Sequence, residues 1–439
     1  MVCTDEANNQ KLNQDEYSVT PITKMKISLT RGLQTSKAKG VFWVLLTLIV
    51  LSGYIMFTIS QIRYRGLFEY IGIDFRLWYA TGLISKERDL WDIYDLSYQS
   101  TYQKIIFEQY SKFSSEYSMQ FFPLRFGYLP IYVVLFKWIT DYPIVFAFIL
   151  WGALNAFGTA IYLSIWIMRV KPTDRAFLVF CLGFCSIYSY LNLIFGQINL
   201  LLLVLIGETL HALESKRDFI AGILLSLCLI KPQIILPLFP IVAILLRRKN
   251  FFLGLLTGMI IVLVVSFMIG GFQSAINLFS IYKTWPPDLN TSGMTWKALV
   301  MQLEYMGLNP YISLIIGIGI VLVSFIAWGK IVFVLEKERD INDNLDIVFG
   351  STILTQFIIS PYGNVHMALP LIVFWYKLLN RKRKQIYLYS FLLWSMISAL
   401  VFLILATKSV GFAHDILGRL SLVSHILMLL NYLDLLKGK

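Results

Sequence analysis

The sequence predicts an all-α integral membrane protein, a polytopic bundle of about twelve transmembrane helices. Three observations carry that expectation. The 439-residue chain is 57% hydrophobic and only 15% charged, where a soluble domain averages roughly 45–50% and about 25%. The apolar residues are gathered into runs such as VFWVLLTLIVLSGYIMFTI (41–59) and FFLGLLTGMIIVLVVSFMIG (251–270), each near the ~20 residues that cross a hydrocarbon core. The basic residues fall in short links between runs: RVKPTDR (169–175), ESKRD (214–218), RRK (247–249) and RKRK (381–384). A chain of such runs must satisfy its own backbone groups in lipid, and helices do so.

The net charge of +12 does not point to nucleic acid. Its cations sit in short links, the pattern of cytoplasmic loops, and form no basic and aromatic groove. The polar stretch 1–39 reads as a disordered cytoplasmic tail, and 40–439 as one polytopic catalytic domain. Candidate helices fall near 40–62, 122–140, 143–168, 175–192, 196–213, 218–231, 232–246, 251–271, 311–335, 346–361, 364–379, 385–406 and 412–436. Two full crossings between 122 and 168 would put RVKPTDR on the wrong side, so one of those segments is expected to be re-entrant or interfacial. Two polar, aromatic segments, 63–121 and 272–310, read as long outer loops. With the basic links inside, the turns FGQIN (195–199), LIKPQ (229–233) and SPYGNVH (360–366) also face outward.

That outer face holds the candidate chemistry. In YIGIDFRLWYATGLISKERDLWDIYD (70–95), Ile71, Phe75, Trp78, Tyr79 and Gly82 recur at helical spacing, as in an amphipathic interfacial helix. Asp74 opens it. Held among Ile73 and Phe75, a carboxylate gains a raised pKa and can act as a general base; the same position suits a helix N-cap. Arg125, in FFPLRFGYLPIYVVLFKW (121–138), either meets a lipid phosphate or snorkels to headgroups. Gln197 and Asn199 either bind sugar hydroxyls or cap a helix. Lys231 interrupts AGILLSLCLIKPQIILPLFPI (221–241), and an ionisable group at membrane depth costs ~2.5–3.5 kcal/mol. A phosphate is its natural partner, and snorkelling is the alternative. Asn290 lies in the second loop and could line a sugar pocket. His366 stands at an outer helix end, where it can donate to a phosphate or hydroxyl. His414 and Asp415 open the last helix, and Asp415 with Arg419 makes an i,i+4 pair read as structural.

Neither a phosphate-cradling Walker loop nor an HExxH or Cys/His metal cluster is present, so no cofactor or metal is expected. The four cysteines, of which Cys181 and Cys185 lie in one apolar run, read as small buried residues. With no cytoplasmic domain to hold a nucleotide sugar, an enzyme of this design needs an activated donor already in the membrane. A polytopic lipid or polysaccharide transporter gripping phosphate with Lys231 is the rival class, for which polar residues at the midplane of repeated halves would speak.

The ordered set GIDFRLWYATGLISKERDLWDIYD, RFGYLP, FGQINLLLL, AGILLSLCLIKP, LNTSG and SPYGNVH resembles glycosyltransferase family 87, the polyprenyl-phosphate-mannose-dependent α-mannosyltransferases of the GT-C superfamily. The resemblance runs from about 41 to 375. It implies a GT-C-like helical bundle in the cell membrane, its active site extracytoplasmic. It further implies a polyprenyl-phosphate sugar donor, a glycolipid or glycan acceptor and inversion at the anomeric carbon. Asp74 falls on the family's first-loop aspartate, the general base. Lys231 matches the lysine before proline near the lipid phosphate and His366 the histidine of the late outer turn; Arg125, by its place at the outer boundary, is taken as a further phosphate ligand. Gln197 and Asn199 match the GQ-x-N turn and Asn290 the loop asparagine; with Tyr79 they are taken as sugar- or acceptor-binding. The RFGYLP segment and the Asn-Val-His of the late turn depart from the family's doubled proline and doubled histidine.

Overall fold

The computed structural model describes residues 21–436 apart from 112–120, 122, 171–175, 233–237, 284–292, 338–340, 361–362 and 382–384. Residues up to Ile49 form one unit and Val50–Lys439 a second, which holds every candidate site residue. The described chain is helical throughout, its one β feature being an isolated bridge between Gly66 and Ser111.

Helix α1 (Pro21–Arg65) begins well inside the stretch expected to be a disordered tail. Pro21 supplies the preset φ of a first helical turn, and the Lys, Met, Leu and Gln that follow are good helix formers. Residues 1–20 lie outside the described part. The first loop folds as α2 (Ile73–Glu87) and α3 (Leu96–Tyr110). Within the expected helix over 122–140, the described residues show one short helical stretch that begins only at Pro130 and ends at Asp141: α4 (Val134–Lys137) with a 3-10 turn on each side, Pro130–Val133 and Trp138–Asp141. It is not long enough to cross a bilayer. The long apolar helix of this region is α5 (Ile144–Arg169), so between 122 and the RVKPTDR link only one described helix is long enough to cross.

Next come α6 (Ala176–Phe184), α7 (Ile187–Phe195), α8 (Asn199–Glu214), α9 (Asp218–Leu227), α10 (Leu238–Leu245) and α11 (Lys249–Lys283). They are followed by α12 (Trp296–Tyr305), α13 (Pro310–Lys337), α14 (Leu345–Ile359) and a 3-10 segment Val365–Leu371 that runs into α15 (Ile372–Arg381). The chain closes with α16 (Gln385–Leu392), α17 (Ser398–Ala406) and α18 (Val410–Leu436). Among the described residues six helices are long and apolar enough to cross a membrane: Val44–Arg65, Ile144–Arg169, Lys249–Ile281, Pro310–Lys337, Ile386–Ala406 and Val410–Leu436. Phe180–Phe195, Asp218–Ile230 and Leu345–Ile359 are apolar but shorter. Most of the other candidate helices are present but short, α8 with 16 residues, α9 with 10 and α14 with 15, and a Ser186 cap divides the 175–192 run into α6 and α7, so six full-length spans stand where about twelve were expected.

Close backbone approach sets the α9–α11 pair. A Cβ on Gly254 would come within 2.1 Å of the Phe219 carbonyl oxygen, and one on Gly258 within 2.0 Å of Ser226 Oγ. GLLTG (254–258) is the small-xxx-small pattern that lets membrane helices touch. It fixes the course of α9, whose far end carries Lys231.

The two ends of these helices differ. At one end ion pairs join the short links: Arg169 with Glu208, Arg381 with Asp346, Arg248 with Asp218 at 2.7 Å, Lys377 with Glu214 at 2.6 Å and Arg247 with Glu336 at 3.0 Å. The opposite ends of α8, α9 and the 3-10 segment before α15 carry uncharged amides, one lysine and imidazole.

Candidate active site

Asp74 is placed by a tight turn ahead of α2. Gly66, Phe68 and Gly72 all have positive φ (81°, 66° and 76°), Phe68 N–H donates to the Ile71 carbonyl at 2.7 Å, and Gly72 N–H to that of Ile194 at 2.5 Å. The guanidinium of Arg76 closes the turn by donating to the Phe68 carbonyl at 2.9 Å. The N-cap of α2 is Gly72, with no side-chain cap bond. Asp74 therefore lies inside the first helical turn and is not its N-cap.

The α7–α8 corner supplies the amides. Gly196 ends α7 in the left-handed region (φ 72°), and a Cβ there would lie 2.5 Å from Phe75 Cβ. Only glycine lets this corner press against the start of α2. The Asn192 side chain accepts from the first amide of α8, Asn199 N–H, at 3.0 Å. Asn192 thus does the capping, leaving the Gln197 and Asn199 side chains for other work.

That work is Lys231. The lysine follows a 3-10 turn, Cys228–Ile230, and is 2% exposed, so it does not snorkel. Its Nζ donates to Gln197 Oε1 at 3.0 Å and to Asn199 Oδ1 at 2.9 Å. An ammonium has three N–H donors, so one is left over among the described residues. Gln197 in turn hydrogen-bonds the Asp74 carboxylate, and Asn199 Nδ2 donates to the His366 carbonyl at 3.0 Å. His366 is 4% exposed and meets the Phe195 ring edge-on, centroids 6.0 Å apart.

Asp74 keeps partial exposure, yet burial among protein atoms pushes its pKa above the ordinary carboxylate value. The Gln197 hydrogen bond and the charges of Lys231 and Arg76 pull the other way. A carboxylate that holds protons more tightly than usual and remains reachable is suited to accept one.

The structure thus joins Asp74, Gln197, Asn199, Lys231 and His366 in one cluster. Arg125 lies in the extended segment before Pro130 and is partly exposed; the guanidinium felt by Asp74 is that of Arg76. Tyr79 is turned away, its hydroxyl donating to the Tyr142 carbonyl at 2.7 Å. Asn290 falls outside the described residues. Three contributors escaped the sequence reading: Arg76, Asn192 and His414, which lies 2.6 Å from the Tyr70 hydroxyl. The pair Asp415–Arg419, read as structural, is part of a wider tie, since Arg419 also donates to Gln302 and to the Ala298 carbonyl.

Compared with known proteins, residues 126–361, just over half of the chain, match the model described as Glycosyltransferase family 87. That segment contains Gln197, Asn199 and Lys231, while Asp74 and His366 flank it. No curated protein and no solved structure matches the chain.

Proposed function

The chain belongs to glycosyltransferase family 87, and from that premise we propose that it transfers mannose from a polyprenyl-phosphate donor to a lipid-linked or glycan acceptor. Transfer takes place on the extracytoplasmic face of the cell membrane, with inversion. The observation that carries this reading is the chain of contacts Asp74–Gln197–Lys231–Asn199, in which a base and a cation share one amide. A carboxylate and an ammonium, the two groups this reaction calls for, thereby both contact one amide.

In the reaction Asp74 takes the proton of the acceptor hydroxyl as its oxygen attacks C1. The new C1–O bond forms on the face opposite the phosphate, through an oxocarbenium-like transition state. The old C1–O bond breaks, and its electron pair leaves with polyprenyl phosphate. That leaving group is already an anion of low basicity and needs no general acid. Lys231 offers its remaining N–H to the phosphate, where charge grows in the transition state, and His366 supports it. Arg125 is assigned to the phosphate from its place at the outer boundary, and Asn290 to the sugar on the family's pattern.

Asp74→Asn tests the proposal. Purified variant incubated with a radiolabelled polyprenyl-phosphate mannose and native membrane acceptors should lose about 10²–10⁴-fold in transfer while keeping its melting temperature. Transfer near the wild-type rate would sink the assigned base.

A further inference from the structure

The last helix brings a residue to the cluster from far beyond the matched segment. His414 stands in the first turns of α18, and its Nε2 lies 2.6 Å from the hydroxyl of Tyr70, four residues before Asp74. Its ring stacks on Phe195 with centroids 5.7 Å apart and planes at 29°. Phe195 meets His366 edge-on and leads through Gly196 to Gln197. Two imidazoles therefore flank one phenyl ring, whose chain neighbour touches both Asp74 and Lys231.

The contact fits either atom as donor; with the Tyr70 hydroxyl donating, Nε2 accepts and the ring proton sits on Nδ1. Among the described residues Nδ1 has no hydrogen-bond partner, and His414 is partly exposed. His425, on the same helix, is fully buried with both ring nitrogens unpartnered. Of the two histidines of α18, the partly exposed one is beside the cluster.

We propose that His414 is a ligand-binding residue of this site, its Nδ1–H donating to a phosphate oxygen of the lipid carrier while Tyr70 fixes its tautomer. The assignment rests on the polyprenyl-phosphate reading above. It extends the site to a helix that the family match does not reach. The competing role is purely structural: a strut between α18 and the Asp74 turn.

Two substitutions separate these roles, because each keeps one half of the imidazole. His414→Gln retains an acceptor for Tyr70 near the Nε2 position and loses the Nδ1 donor. His414→Asn retains a donor near Nδ1 and loses the Tyr70 bond. Binding is read by titrating detergent-solubilised protein with polyprenyl monophosphate and, separately, with phosphatidic acid. His414→Gln should bind polyprenyl monophosphate about tenfold more weakly, and His414→Asn should lose less while melting at a lower temperature. The reverse order of affinities assigns a strut and overturns the proposal. An equal loss toward phosphatidic acid overturns the assignment to the carrier. If the wild-type protein itself binds no polyprenyl monophosphate, the underlying donor reading fails instead.

Discussion

Asp74 shows how a single carboxylate is tuned. Its pKa is raised by burial, and partly lowered again by the Gln197 hydrogen bond and by Lys231 and Arg76. Burial is the largest influence, so the net direction is upward from the ordinary ~3.9. A general base acts only when ionised. Transfer should therefore fail on acidification as the pH falls through this raised value, and kcat/KM should show its acid limb above the range of an unperturbed aspartate. A limb at the ordinary carboxylate position would contradict the burial argument. Most of the cluster was legible in the amino-acid sequence, for one physical reason. Asp74, Gln197, Asn199, Lys231 and His366 are polar groups bordering apolar runs, where solvation cost makes them conspicuous. Tyr70 and His414 lacked that clarity. Their contact spans 344 positions, and His414 already had a local explanation in its neighbour Asp415, paired with Arg419.

At the scale of elements, the α7–α8 corner decides the geometry. Gly196 combines a left-handed φ with a 2.5 Å approach to Phe75 Cβ. Gly196→Ala must strain the backbone and push α2 outward, at a cost of about 1–3 kcal/mol. The shift would move Asp74 relative to Lys231, and displacements near 1 Å can lower rates about 10²-fold. The variant should fold with a reduced melting temperature and lose far more in kcat than in expression. An unchanged kcat would mean that the corner does not set the distance between base and cation. Helix existence was readable from the apolar runs, but helix integrity was not. The stretch 122–140 has the composition of a span, yet helix begins only at Pro130 and ends at Asp141. Hydrophobicity does not reveal where in an apolar run the helix starts.

Across the whole molecule, ion pairs gather where the short links meet. Glu208, Glu214, Asp218 and Asp346 all pair with basic residues at one end, and further pairs, Arg65–Glu69, Lys86–Asp141 and Lys104–Glu108, lie around the first loop. The basic links were legible in the sequence; the number of helices long enough to cross was not. If the paired end is cytoplasmic, single cysteines should report it once Cys3 is replaced, because Cys181, Cys185 and Cys228 are buried. A membrane-impermeant maleimide should label Thr101→Cys in intact cells and Ser215→Cys only after permeabilisation; the opposite pattern reverses the topology. The short helices carry one more consequence. Helix α8 has 16 residues and α14 has 15, roughly 24 and 22 Å at ~1.5 Å per residue, against a hydrocarbon layer of ~30 Å. Such hydrophobic mismatch is met by local thinning of the bilayer. On the function proposed above, with Glu214 held by its ion pair at one boundary, Asn199 and its partner Lys231 would sit roughly 6 Å beneath the other. The proposed sugar transfer would then take place within a dimple in the lipid. An acceptor would have to reach down into that dimple, which would favour hydroxyls carried on lipids or flexible glycan ends over those on rigid, bulky surfaces.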